Sequence, residues 1–300
     1  MDSKLKKQTL AALLTLCLLT GCAAQTARES VSAEGTQAEE PSNTSAVADA
    51  SQMTAVEDVG TEGMTPIHAA ELVDGVYNIS VDSSSPMFKI TDCELTVGGD
   101  AMTAKLIMSS DSYGYLYPGT AEDAAAADAA DYITSVVENG TGTFVLPLTA
   151  LDQEVPCAAW SRSKELWYDR TLVFRGDSLP LEAFESVTTA ETLADGAYTV
   201  DVTLAGGSGK ASIQSPAALT VVDGAAAATI VWSSANYDYM LVDGERYDAE
   251  IIGGRSTFVI PVGAFDRPMR VIADTTAMSQ PYEIEYTLTF DFASIAAVQP

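Results

Sequence analysis

Apolar and polar side chains alternate with a period of two along much of the chain after about residue 74. The final stretch is the clearest, with apolar positions at Tyr282, Ile284, Tyr286, Leu288 and Phe290 and polar positions at Glu283, Glu285, Thr287, Thr289 and Asp291. Because successive side chains of a strand point to opposite faces, this pattern predicts a strand with one face in a core. Turn sequences such as Asp223-Gly224 and Asp243-Gly244 separate similar stretches, which predicts antiparallel hairpins.

The alternating stretches occur in two related series. Matching segments are Asp74-Gly75-Val76-Tyr77 with Asp195-Gly196-Ala197-Tyr198, Thr143-Phe144-Val145-Leu146-Pro147 with Thr257-Phe258-Val259-Ile260-Pro261, and Thr171-Leu172-Val173-Phe174 with Thr287-Leu288-Thr289-Phe290. We therefore expect a tandem repeat, with copies at residues 71–178 and 194–295 and a linker at 179–193. Short strands in copies of this size predict an all-β fold of two antiparallel sandwiches of the immunoglobulin class.

The spacing between matching segments shortens after Tyr117, so the first copy has an insertion between Tyr117 and Thr143. The insertion begins with Thr120-Ala121-Glu122-Asp123 and continues as an alanine-rich run to Ile133. A threonine followed three residues later by an acidic residue is a helix-capping pattern. We expect a short capped helix here as the largest difference between the copies.

The N-terminus has the pattern of an export signal. Lysines at positions 4, 6 and 7 precede the apolar run Leu10–Leu19, which is too short to span a bilayer as a permanent helix. The following Leu19-Thr20-Gly21-Cys22 resembles the bacterial lipobox, which implies cleavage after residue 21 and a lipid on Cys22; an ordinary signal peptide with an incidental cysteine is the alternative. Residues 22–70 are polar and predict a disordered tether. The expected location is the extracellular face of the cell membrane, with membrane contact through the lipid only.

Net charge and residue content narrow the functional classes. The precursor carries −27, and cleavage would remove three lysines but only one aspartate. Such a surface repels nucleic acid and anionic lipid, and dispersed acidic residues of this kind keep an exported protein soluble. His68 is the only histidine, so a Ser/His/Asp triad or a histidine metal cluster cannot form inside either copy. These observations favour a binding protein over an enzyme.

Two cysteines, Cys93 and Cys157, belong to the first copy. Outside the cytoplasm two such cysteines usually form a disulfide, whereas two buried free thiols remain the alternative.

The second copy resembles the near-iron-transporter (NEAT) domain, an immunoglobulin-like sandwich that binds heme. The resemblance is carried by Asp195-Gly196-Ala197-Tyr198-Thr199-Val200, by residues 233–240 at the place of that family's short helical lip, and by Tyr282 and Tyr286 at the positions of its Tyr-x-x-x-Tyr pair. It implies heme as cofactor, Tyr282 as iron ligand and Tyr286 as its hydrogen-bonding partner. Met240 and Met278 are alternative ligands, and the expected lip contains Ser233, Ser234, Tyr237 and Tyr239.

The first copy departs from this pattern, because Leu166 and Arg170 stand where the second copy has Tyr282 and Tyr286. Its aromatic residues, Tyr113, Tyr115, Tyr117, Trp160 and Trp167, either form a binding surface or fill the core. The leading expectation is capture of heme or a heme protein for iron acquisition, with a membrane iron or heme transporter as a further partner. The rival is a structural or adhesive surface protein that binds a protein partner through aromatic loops, without a cofactor.

Overall fold

A computed structural model of the chain describes residues 46–53, 59–277 and 280–298. The fold is almost entirely β, as the alternating pattern predicted. The strands are β1 Gly75–Asn78, β2 Val81–Ser83, β3 Ile90–Gly98, β4 Ala101–Met108, β5 Tyr113–Pro118, β6 Ile133–Thr134, β7 Val136–Glu138, β8 Thr141–Leu148, β9 Glu154–Ser161, β10 Leu166–Phe174, β11 Gly196–Val200, β12 Val202–Gly206, β13 Ala217–Val222, β14 Ala225–Val231, β15 Tyr237–Val242, β16 Glu245–Asp248, β17 Glu250–Ile252, β18 Arg255–Val262, β19 Met269–Thr275, β20 Tyr282–Phe290 and β21 Ala296–Ala297. The helical elements are α1 Ala121–Ala126 and 3-10 turns at Ala69–Glu71, Ala129–Asp131, Gly176–Ser178, Leu181–Ala183, Ala190–Thr192 and Phe292–Ser294.

The strands form four antiparallel sheets around two hydrophobic cores. Sheets β1-β3-β4-β8-β7 and β2-β10-β9-β5-β6 contribute the residues of the first core, and we call this half the first sandwich. Sheets β21-β11-β13-β14-β18-β17 and β12-β20-β19-β15-β16 contribute those of the second core, and form the second sandwich. The pairing order of β11 to β20 repeats that of β1 to β10 strand for strand, so equivalent positions in the two sandwiches can be compared directly.

Local sequence accounts for the tight turns between strands. Asp223 and Gly224 both have positive φ, 51° and 75°, and so do Asp243 and Gly244, at 51° and 80°. Two successive residues in this region form the type I′ turn, which suits the twist of antiparallel hairpins and for which Asp-Gly is a favoured pair. The turns predicted at these two dipeptides are therefore present.

The insertion of the first sandwich folds as the expected capped helix, although it is shorter than the alanine-rich run. The Thr120 hydroxyl accepts a hydrogen bond from the Asp123 backbone N–H at 3.1 Å, and α1 begins at Ala121, directly after Thr120. The helix stops at Ala126 because the backbone of Ala127 is extended, and Asp128 caps a separate 3-10 turn. Helix α1 packs its buried alanines against Ala158 and Trp167 on the outer face of β9 and β10.

Part of the tether expected at residues 22–70 packs against the first sandwich. The Ala46 carbonyl accepts the Trp167 N–H at 2.7 Å, and the Ala48 N–H donates back to the Trp167 carbonyl at 2.9 Å, so residues 46–48 lie in parallel along the edge of β10. Ile67 is buried and pairs with Leu151. The prediction of a tether rested on the polar composition of the whole segment, to which these few apolar positions contribute little. The expected signal peptide and Cys22 lie outside the described residues, and within the described part no helix has the length and hydrophobicity to cross a membrane.

A buried polar network joins the two sandwiches. Arg175 follows β10 directly, and its guanidinium donates to the Asp177 carboxylate at 2.8 Å and to the Thr287 hydroxyl of β20 at 2.7 Å. The same hydroxyl donates to Asp177, which completes a closed triangle. Removing one member of a buried charged network leaves the others without partners, which typically costs about 3–5 kcal/mol.

The expected linker 179–193 is also ordered, with buried Ala183 and Phe184 and a bridge from Thr188 to Phe265.

Candidate functional site

Two residues expected at the heme iron lie in the core of the second sandwich. Met240 is 0% exposed, and its sulfur accepts the Trp232 indole N–H at 3.4 Å. Tyr286 is 2% exposed, and its hydroxyl lies 3.3 Å from the hydroxyl of Tyr237. The Tyr237 ring stacks on Trp232 with centroids 4.0 Å apart. These four side chains fill the space between the sheets, so they are packing residues whose polar atoms interact with one another.

Tyr282 lies outside this buried group, at the start of β20, and is 60% exposed. Its ring shares a strand face with Tyr286, but the Tyr286 hydroxyl pairs with Tyr237. The expected helical lip is wrong, because residues 233–235 form bends and β15 begins two residues later, at Tyr237. Ser233 is exposed and Ser234 half-buried, and their backbones pair with Ser212 and Ser256. Met278 lies outside the described residues.

These residues do not fit a heme site. A macrocycle needs an apolar crevice with an iron ligand facing into it, whereas Tyr282 faces solvent and the Met240 sulfur is enclosed by the core. Among the residues that the structure describes, no group of three or more His, Cys, Asp or Glu side chains is arranged to hold a metal ion. Heme binding therefore stays a prediction that the packing does not support.

Cys93 and Cys157 are free thiols, which corresponds to the second of the two alternatives. Cys93 lies on β3 and Cys157 on β9, strands of opposite sheets, and both are buried in the first core. Burial raises the pKa of each thiol to about 12; nearby carboxylates add to the effect at Cys93, whereas Arg170 opposes it at Cys157. Neither sulfur is a nucleophile or a metal-binding thiolate at neutral pH.

An acidic row crosses the outer face of β15, β19 and β20 in the second sandwich. Strand registers place Tyr239 opposite Asp274, and Asp274 opposite Glu283. A β-bulge between Tyr237 and Tyr239 leaves Asp238 beside the same position. We call Tyr239, Asp238, Asp274 and Glu283 the acidic row. Positions opposite each other in a sheet share a face, which explains why residues of three different strands meet here.

Hydrogen bonds in the acidic row are unevenly distributed. The Tyr239 hydroxyl donates to Glu283 at 2.6 Å, a bond that raises the pKa of Tyr239 to about 12. Arg246 lies over the Tyr239 ring at 3.9 Å and donates to Asp248 at 2.7 Å. Asp274 is 3% exposed, and its Oδ2 atom has no hydrogen-bond partner. Burial raises the pKa of Asp274, and its contact with the Asp238 carboxyl raises it further.

The equivalent row of the first sandwich is aromatic. Tyr115 is opposite Trp160, and Trp160 is opposite Trp167, in the same registers and after an equivalent bulge. The Trp160 and Trp167 rings lie 5.4 Å apart, and Tyr132 packs edge-on against Trp167 at 4.9 Å. We call Tyr115, Tyr117, Tyr132, Trp160 and Trp167 the aromatic cluster. Tyr113 does not belong to it, because its ring packs against Phe88 of the core.

Helix α1 and residues 46–48 cover only part of the aromatic cluster. Trp167 is buried beneath them, whereas Tyr117, Tyr132 and Trp160 are half-buried and Tyr115 is 37% exposed. The Tyr132 hydroxyl donates to the Ala124 carbonyl at 2.8 Å, so its ring is fixed in place. The result is a rigid aromatic surface with a buried base. Neither the row registers nor the role of the insertion in covering Trp167 was visible in the sequence.

A groove of about 790 Å³ lies between the two sandwiches. Its lining includes Asp92, Asp177, Asp243, Arg270 and Leu179. The Arg270 guanidinium is already bound to Ser80 and Glu285, and the Asp177 carboxylate to Arg175. Arg270 and Asp177 are thus engaged by other protein groups, and the rest of the lining mixes Asp92 and Asp243 with apolar side chains such as Leu241.

No protein-family model matches the chain, and no curated protein matches it either.

Proposed function

We propose that the chain is an exported, lipid-anchored binding protein without catalytic activity, which binds a protein partner through the aromatic cluster of the first sandwich. On this proposal the two sandwiches are copies of one immunoglobulin-like domain, and Cys22 carries the lipid. The supporting observation is the half-exposed aromatic cluster on a rigid base. Tyrosine and tryptophan are the residues that most often supply binding energy at protein interfaces, because they bury large areas with few rotatable bonds.

The surroundings of the cluster indicate the character of the partner. Helix α1 and the turn after it carry exposed Glu122, Asp123, Asp128 and Asp131 around the aromatic side chains. An apolar centre with a charged rim is the usual arrangement of a protein interface. The acidic rim favours a partner surface with basic residues around an apolar centre, and it would repel acidic proteins and anionic membranes.

Site-specific photo-crosslinking tests this proposal in cells that produce the full chain. A photo-reactive amino acid replaces Tyr115, and in a matched control it replaces Tyr282, which is exposed on an outer strand of the second sandwich. We expect a discrete adduct from position 115, lost when Trp160→Ala is added, and no such adduct from position 282. Equal adducts from both positions, or none from position 115, would contradict the proposal.

The anchor requires its own measurement. Cells grown with a labelled fatty acid should label the wild-type chain, and the Cys22→Ser variant should lose the label and leave the membrane fraction. Retained labelling in Cys22→Ser would show that the cysteine is incidental, while the crosslinking result would still decide the binding proposal.

A further inference from the structure

Each sandwich has a long strand whose outer edge is covered only in part by a short neighbouring strand. In the first sandwich β2 pairs with Leu172–Phe174 of β10, and in the second β12 pairs with Tyr286–Phe290 of β20. The beginning of each long strand therefore extends beyond its neighbour. In the first sandwich this part is covered as well, because residues 46–48 lie along it in parallel at Trp167.

The equivalent part of β20 lies open. Glu283 occupies the position of Trp167 in the repeated register. No described residue pairs with residues 282–284 on the side away from β19. Tyr282 and Glu283 are exposed, whereas Trp167 is buried.

The backbone of Glu283 points toward this open edge. Trp167 donates its N–H to the Ala46 carbonyl and accepts the Ala48 N–H, and both bonds lie on the side away from β9. In an antiparallel pair, residues directly opposite each other alternate between bonding across the pair and pointing away from it. The shared register therefore turns the N–H and C=O of Glu283 away from β19. An edge of this kind is a template for a further strand.

We propose that the open edge of β20 binds an extended segment of a partner protein as an added parallel strand, with a lysine or arginine beside Glu283. Strand addition to an exposed sheet edge is a recurring mode of peptide recognition, in which backbone hydrogen bonds give affinity and alternate side chains give specificity. Residues 46–48 provide the precedent, because they occupy the equivalent edge of the same fold. The site is separate from the aromatic cluster and belongs to the other sandwich.

The first sandwich also indicates the pattern of the added strand. Val47 pairs with Trp167 and packs against the aromatic cluster, so it faces the outer side of the sheet. The alanines on either side of it face the opposite way, and Ala48 is buried. The bound segment should therefore have small residues on both sides of the residue that takes the place of Val47.

Charge determines which side chain suits the place of Val47 in the second sandwich. The Glu283 carboxylate accepts a hydrogen bond from the neutral Tyr239 hydroxyl, and Asp274 lies opposite it on the same face. The nearby guanidinium of Arg246 is paired with Asp248. A basic side chain would thus meet negative charge where Val47 meets an indole, and opposite charges in neighbouring strands stabilise the pairing.

NMR titration of the full mature chain carrying Cys22→Ser, which stays free of lipid, tests the proposal. The probes are blocked seven-residue peptides with Ala-Lys-Ala, Ala-Val-Ala or Ala-Glu-Ala at the centre and identical flanks. The lysine peptide should shift the Glu283 amide saturably and bind roughly threefold to fivefold more tightly than the valine peptide, as expected for an opposite-charge pair. The glutamate peptide should be the weakest. The Trp167 amide should not shift, because residues 46–48 occupy its edge.

N-methylated peptides test whether the backbone forms the contact. A methyl group on the alanine after the lysine removes the N–H equivalent to that of Ala48, and it should weaken binding by about tenfold. A methyl group on the lysine itself is the matched control, because the N–H equivalent to that of Val47 points away from the sheet. Equal losses from the two methyl groups would overturn strand addition.

A charge reversal tests the side-chain preference. Glu283→Lys should bind the glutamate peptide more tightly than the lysine peptide, whereas Glu250→Lys, which changes an exposed acid on β17 of the other sheet, should keep the preference of wild type. An unchanged preference in Glu283→Lys, no saturable shift at Glu283, or larger shifts at Trp167 would overturn the proposal. So would concentration-dependent shifts without peptide, which would assign the edge to a second copy of the chain.

These outcomes do not depend on the partner of the aromatic cluster. The peptides bind away from Tyr115, and a cellular adduct formed from position 282 with this second partner would differ in mass from the adduct formed from position 115. Failure of strand addition therefore leaves the proposed function to its own test.

Discussion

The outer faces of β5-β9-β10 and β15-β19-β20 have the same registers and the same bulge but opposite chemistry. In the first sandwich the row is Tyr115, Trp160 and Trp167, and in the second it is Tyr239, Asp274 and Glu283. The inner faces remain apolar in both. The repeated topology is thus maintained by the two cores, and the outer row is free to acquire a different role in each sandwich.

The two rows also differ in what lies over them. Helix α1 and residues 46–48 cover Trp167, so the first row contains a second, smaller hydrophobic cluster. No described segment pairs with the outer edge of β20 at Glu283, and the acidic row faces outward there. The aromatic side chains of the first row therefore occur together with two covering segments, the insertion that contains α1 and residues 46–48. The acidic row of the second sandwich has neither.

The largest expected effect comes from replacing the equivalent residues Trp167 and Glu283 by alanine. Trp167→Ala removes a buried indole from beneath α1 and should lower the free energy of unfolding by about 3–5 kcal/mol. Glu283→Ala changes an exposed acid and should alter it by less than about 1 kcal/mol. Urea unfolding followed by circular dichroism measures both.

Trp167→Phe is the control for this pair, since it keeps an aromatic ring under α1 and should recover part of the lost stability. Similar losses in Trp167→Ala and Glu283→Ala would mean that the covered cluster contributes nothing beyond the open row.

A smaller effect, dependent on pH, should separate Asp152 from its equivalent Asp266. Both residues have positive φ, and both carboxylates accept a backbone N–H, from Gly176 and Phe292 respectively. Asp152 is buried and Asp266 exposed. Burial raises the pKa of Asp152 to about 6, partly offset by the Gly176 hydrogen bond.

The folded state therefore favours the neutral form of Asp152. Its contribution to stability is complete below the unfolded pKa of 3.8 and is lost as pH rises through about 6. Asp152→Asn keeps an acceptor for Gly176 and tolerates the positive φ, so its stability relative to wild type should increase by up to about 3 kcal/mol between pH 4 and 7. Asp266→Asn is the control, and an equal slope there would show that burial is not the cause.

The smallest expected effect is a null result with heme. Tyr282 faces solvent, and Met240 and Tyr286 are enclosed by Trp232 and Tyr237, so ferric heme titrated into the full chain should give no saturable coordination spectrum. Tyr282→Ala should behave like wild type. A saturable spectrum that Tyr282→Ala abolishes would restore the heme hypothesis and show that the second sandwich opens in solution.

Much of the fold could be predicted because it depends on local patterns. Alternation assigned the inner face of β20, the Asp-Gly pairs located turns, and Thr120 with Asp123 located the start of α1. Alternation does not report depth along a strand, however. Tyr282 and Tyr286 share a face, yet Tyr282 lies beyond the part of β20 that pairs with β12, whereas the Tyr286 ring packs against Trp232.

The candidate sites depended on information that the sequence does not contain. Asp274 and Asp238 meet only because β15 and β19 pair in one particular register, and a shift of one residue would place them on opposite faces. The Arg175 network joins residues more than a hundred positions apart. The place of residues 46–48 was hidden by the polar composition around them.

The pairing of residues 46–48 with β10 has a consequence for solubility. An unpaired strand edge is a template for association with other chains. The first sandwich blocks its edge at Trp167 with its own N-terminal segment. No described segment covers the equivalent edge of the second sandwich, which carries the negative charge of Glu283 there, so neighbouring copies repel one another at the place where they would otherwise aggregate.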